Sequence, residues 1–225
     1  TNAKLTMNAG YSAIYVYQNS NVIGNAVVIK NSAIKGTISM NDKNSTLSIT
    51  GGTLTQFSSY LMDLQTGGTF TVNGTKMTMN DTSNAINFNA PNSSMTLTGC
   101  TITGGGAGIA QTGAGSTAKL RSTELLSQQY YAYYLSNGNL DLGTAADSGG
   151  NGLGLPVSTS YYAIYVPSGT SVIKSSSTTF GDHLDAQSNV IQGVTPSATA
   201  TPIVGPATRA PQIYSIGSGS QISFF

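Results

Sequence analysis

Between Ser45 and Leu126 the chain writes one pattern four times: STLSITGGTLT, TFTVNGTKMTM, SSMTLTGCTIT and STAKLRSTELL. Each copy places apolar residues at offsets 0, 2 and 7. These are Leu47, Ile49 and Leu54; Phe70, Val72 and Met77; Met95, Leu97 and Ile102; Ala118, Leu120 and Leu125. A small or polar corner separates the two apolar groups: Thr50-Gly51-Gly52, Asn73-Gly74-Thr75, Thr98-Gly99-Cys100 and Arg121-Ser122-Thr123. Alternation with period 2 is the mark of a strand with one buried face, and its recurrence at a fixed longer period is the mark of a solenoid.

The register extends in both directions. Leu5, Val27, Leu47, Phe70, Met95, Ala118 and Leu140 are equivalent, at spacings of 22, 20, 23, 25, 23 and 22 residues. That is too short for paired-helix repeats of roughly 34 residues, and the leucine and asparagine pattern of leucine-rich repeats is missing. Thr, Ile, Val and Tyr, which suit a pleated surface, dominate the repeats. A third apolar cluster recurs as Ala13-Ile14-Tyr15-Val16, Ile38-Ser39-Met40, Leu61-Met62-Asp63-Leu64, Ala85-Ile86-Asn87-Phe88, Ala132-Tyr133-Tyr134-Leu135 and Ala163-Ile164-Tyr165-Val166. Three strands per coil make the expected fold all-β: a right-handed parallel β-helix of about 7–8 coils, roughly 35–40 Å long at the ordinary strand spacing.

Over about Leu5 to Val166 this register resembles the pectin-lyase-like β-helix superfamily, and within it the bacterial extracellular β-helix repeat proteins. Asn139-Leu140-Asp141-Leu142-Gly143 followed by Gly149-Gly150-Asn151 is similar to a "DLG…GGN" coil late in such proteins. There it precedes a terminal coil and a short closing strand. Residues 1–190 are accordingly expected to be the β-helix. Residues 191–225, with Pro196, Pro202, Pro206 and Pro211, are expected to be an extended segment whose short closing strands cap it. The Gly-rich stretch between Leu142 and Tyr161 reads as a loop replacing a second strand.

Composition narrows the function. Charged residues are 8% of the chain, against about 25% in ordinary soluble proteins. A net charge of +1 gives no footprint for nucleic acid, and no apolar run reaches the roughly 18 residues of a membrane span. Ser, Thr, Asn and Gly must cover the surface, as in secreted or bacterial cell-surface solenoids. Cys100 has no partner for an intrachain disulfide and sits between inward positions, so a buried, inert thiol is expected.

Polysaccharide lyases and hydrolases of the resembled superfamily need clustered acids and bases, or carboxylates that hold calcium. Here the acids are spread about one per coil. Lys119, Arg121 and Asp141 form the best charged patch and read as a structural salt-bridge cluster. Asp182-His183-Leu184-Asp185 is the one acid–His cluster, so Asp182, His183 and Asp185 are the catalytic candidates, with a solvated turn as the alternative. No metal site and no cofactor are expected. Threonine ladders keep ice binding open as a further alternative.

Tyrosine is the other feature. Aligned third strands turn Tyr15, Tyr134 and Tyr165 outward, where aromatic rings can pack on a sugar or a protein partner. The reading leans to a non-catalytic structural, adhesive or self-assembling module, with a polysaccharide lyase or hydrolase as the alternative. Solenoids need caps at both ends. Leu5, Met7, Ile14 and Val16 form a first layer that nothing before them can cover. Upstream coils of a precursor, or a second copy adding Phe224 and Phe225, are expected to stack there and could build a filament.

Overall fold

A computed structural model describes residues 3–6, 12–17, 24–154, 162–167, 170–184, 190–191, 193–200 and 214–225. Apart from one added antiparallel strand, the described strands visit three sheets in rotation, and in each sheet eight strands stack in parallel. The first face runs from Ala26–Lys30 to Gln221–Phe224 and holds the repeat's leading strand. The second runs from Lys4–Thr6 to Thr179–Leu184, where Val190–Ile191 adds an antiparallel ninth strand. The third runs from Ile14–Tyr17 to Tyr214–Ile216. The chain is an all-β parallel solenoid, and no helix among the described residues is long and apolar enough to cross a membrane.

The offsets in the sequence are columns in space. Val27, Leu47, Phe70, Met95, Ala118, Leu140, Ile173 and Ile222 pair rung to rung along the first face. Leu5, Ile34, Leu54, Met77, Ile102, Leu125, Leu153 and Phe180 do so along the second. From Leu47 to Leu125 the repeat's apolar residues are at most 1% exposed. Because each strand pairs with the next coil, burial and backbone hydrogen bonding are satisfied by the same stacking.

Corners hold a second, polar column inside the wall. Thr75 Oγ1 donates to Gly51 O at 3.1 Å, Thr123 Oγ1 to Arg121 O at 3.1 Å, and Thr178 Oγ1 to Leu142 O at 2.9 Å. Cys100 occupies the same column, is buried, and has its thiol pushed up by desolvation. Gly52, at φ 80°, is the position of this column with no side chain, since a Cβ there would collide with the Ser32 backbone.

One departure from the sequence expectations stands out. The Gly-rich stretch does not replace the second strand: Gly152–Gly154 forms it, pairing with Glu124 and Leu125. Asn151 makes this possible, because it is buried and bonds Leu120 O, Leu142 O and Thr178 Oγ1 while accepting from Thr123 N. A single asparagine thereby satisfies the backbone groups that the inserted loop leaves open. In the C-terminal segment, Tyr214–Ile216 and Gln221–Phe224 each run parallel to the preceding rung. They continue the ladder on two faces, and Tyr214 and Phe224 close on Phe180 at ring separations of 5.7 and 6.4 Å.

Candidate functional site

The outer surface of the third face is where aromatic chemistry gathers. Its outward column reads Tyr15, Ser39, Asp63, Asn87, Ala110, Tyr134, Tyr165 and Ser215, each paired with the next. Tyr134 and Tyr165 are neighbours, with centroids 6.0 Å apart. Tyr15, 56% exposed, lies five rungs from Tyr134, about 24 Å at the usual strand spacing, and stacks instead on Tyr17 at 6.1 Å.

Two tyrosines that the aligned outward positions omit complete the cluster. Tyr131 stacks on Tyr165 at 5.0 Å and 15°, and Tyr162 stacks on Tyr165 at 5.7 Å and 21°. They face outward because the strand breaks its alternation: in Tyr131–Leu135 both Ala132 and Tyr133 are buried, so positions three apart share the outer side. Tyr162–Val166 repeats that pattern. Tyr133 is enclosed, its hydroxyl donating to Gln111 Oε1, and Gln111 Nε2 donates in turn to Ser116 Oγ at 2.9 Å. Burial drives the Tyr133 phenol well above its ordinary pKa, so it stays protonated and acts as a strut.

Beyond Ala110 the column turns polar. Asp63 Oδ1 accepts from Gln65 Nε2 at 2.6 Å and from Asn87 Nδ2 at 2.8 Å. Asn89 donates to Gln65 at 3.3 Å and accepts from Thr112 at 2.9 Å. Between this amide row and the tyrosines lies a cleft of about 260 Å3, lined by Asn84, Asn87, Gly106, Ala107, Ala110, Thr112, Tyr130, Tyr131 and Tyr134.

The charged patch on the first face is a closed ion cluster. Arg121 Nη2 meets Asp141 Oδ1 at 2.9 Å and Asp147 Oδ2 at 2.8 Å, and Lys119 Nζ meets Asp147 at 2.7 Å. Asp147, from the inserted loop, was not part of the expected patch, because loop sequence carries no register to place it. Hydrogen bonds from Arg121 and Lys119 hold its carboxyl below the usual carboxylate range. Burial opposes charge on Arg121, yet its bonds to Asp147 and Asp141 keep the guanidinium above its ordinary value. A general acid needs the opposite shift.

Other described acids also have structural partners. Asp42, buried, accepts from Asn25 Nδ2 and Ser45 Oγ, and Asp81 caps the backbone of Ser83. Asp182 and His183 lie on the strand Thr179–Leu184, and Asp185 lies outside the described residues. Among the described residues no group of three His, Cys, Asp or Glu side chains converges as a metal site.

At one end of the stack, Lys4–Thr6, Ile14–Tyr17 and Ala26–Lys30 are edge strands. Leu5 is 37% exposed, Ile14 and Val16 are partly covered, and Met7 lies outside the described residues. At the other end Phe224 packs inward on Tyr214 at 5.8 Å, while Phe225 stays exposed. No family model matches the chain, and no curated protein or solved structure matches it either.

Proposed function

We propose that the protein is a non-catalytic β-solenoid of the secreted or bacterial cell-surface kind, an adhesive and structural module that contacts glycans through its tyrosine cluster. The observation that carries this is the outward group of Tyr131, Tyr134, Tyr162 and Tyr165, stacked across two rungs on a rigid sheet. Such rings offer large apolar faces at little cost in side-chain entropy, which suits flat sugar rings. The low charge and hydroxyl-rich exterior support an extracellular setting. The repeat register supports right-handed coiling of the pectin-lyase-like kind.

The engagement of Asp42, Asp63, Asp81, Asp141 and Asp147 in structural hydrogen bonds favours this reading over a lyase or hydrolase. Binding to a printed array of glycans, compared with the Tyr134→Ala, Tyr165→Ala double variant, tests it. The wild type is expected to bind and the double variant to lose binding at an unchanged melting temperature. Cleavage of an acidic polysaccharide by the wild type would reverse it.

Self-association is part of the same proposal. Exposed Leu5, Tyr17 and Val28 mark the edge-strand end, and edge strands are templates for adding further strands.

A further inference from the structure

We propose that the cleft beside the tyrosine cluster is a subsite for one ring of a neutral sugar, and that it disfavours uronates. This rests on the glycan-contact reading above and deepens it by assigning the ligand's charge and the atoms that select it.

Shape comes first. Ala110 is a small residue flanked in the outward column by longer side chains: Asn87 and Asp63 on one side, Tyr134 and Tyr165 on the other. Its missing bulk, over the buried Gly106 and Ala107, opens the cleft. At about 260 Å3 it lies just below the range of about 300–1,000 Å3 typical of small-molecule pockets, which fits a ring-sized ligand better than a long one. Tyr131 and Tyr134 form an aromatic wall, their rings tilted by 42° at 5.7 Å.

Hydrogen-bond polarity then selects the ligand. Asn87 gives one Nδ2 hydrogen to Asp63, which leaves its Oδ1 acceptor and one further N–H. Thr112 spends its hydroxyl proton on Asn89 Oδ1, which leaves lone pairs. Both groups can accept from a sugar hydroxyl, which can also take a hydrogen bond from the remaining Asn87 N–H or a tyrosine hydroxyl of the lining. A carboxylate cannot use the Asn87 and Thr112 acceptors, and it would stand one rung from the Asp63 carboxylate, with no charged side chain lining the cleft to balance it. Apolar walls with a few convergent polar atoms are the usual composition of such sites.

The test uses the whole chain on an array of neutral and uronate glycans, with affinities of the hits measured by titration calorimetry. Ala110→Leu fills the floor without touching a tyrosine, and Asn87→Ala removes the acceptor. Circular dichroism and melting temperature report whether each variant is folded. Both variants are expected to weaken neutral-glycan binding by about tenfold or more, the scale of one lost hydrogen bond or contact. Tyr165→Ala separates the two readings, because Tyr165 does not line the cleft. If Tyr165→Ala abolishes binding while folded Ala110→Leu and Asn87→Ala retain it, the tyrosine reading stands and the subsite is overturned. Equal or tighter binding of uronates overturns the charge selection, and an array with no bound glycan overturns both readings.

Discussion

At the scale of single residues, the solenoid is a sum of nearly identical burial decisions. Leu97 is fully buried between Val72 and Leu120, its partners on adjacent rungs. Leu97→Ala removes a methyl-rich side chain from a column that a rigid ladder cannot close up. The expected loss is about 2–5 kcal/mol, measured by denaturant unfolding. The residues that set this column were legible, because period-2 alternation makes an inward leucine distinguishable from an outward threonine. The inward polar residues were not. Gln111 falls in the column of Phe88 and Leu135, and Asn151 at the corner of Thr123, yet nothing local separates a buried amide from an exposed one. Their role exists only through partners 5 to 31 residues away.

At the scale of elements, irregularity is where sequence reasoning missed. Gly152–Gly154 carries a single apolar side chain between two glycines, so its strand character comes from the neighbouring rung and not from its own propensity. The third strands mislead differently: the double burial at Ala132 and Tyr133 puts Tyr131 beside Tyr165, which strict alternation hides. The inserted loop is held at Asp147, itself in a turn where Thr144 N donates to Asp147 O at 2.9 Å and Asp147 N donates to Thr144 O at 3.2 Å. Asp147 titrates below its unfolded-state value of about 3.9, so its contribution is present above that pH and is lost as pH falls through the folded value. Because the pair is solvent-exposed, salt should weaken it too. Asp147→Asn is therefore expected to lower the melting temperature near neutral pH, with the gap to wild type narrowing as pH drops from about 5 towards 2. A gap that stays constant across that range would remove the ion cluster as the clamp.

At the scale of the whole molecule, the eight described rungs per face place the first and last of these strands about 34 Å apart, seven strand spacings. A solenoid of this kind has no edges along its length, so among the described residues the unpaired strand groups lie at the two ends of the stack. They differ in chemistry. At one end Phe180, Tyr214 and Phe224 meet over the core, and Val190–Ile191 turns antiparallel against the second face. At the other, Leu5, Tyr17 and Val28 stand exposed on three edge strands. The self-association proposed above would join unlike ends, a heterologous contact that builds an open filament where its rotation does not close. Small-angle scattering at rising protein concentration should therefore show the long dimension growing while the cross-section stays fixed. Leu5→Lys with Val28→Lys places like charges on two of the three edge strands and is expected to hold the particle at monomer length. Growth in cross-section, or growth untouched by the lysines, would locate association on a side face and leave the edge strands without that role.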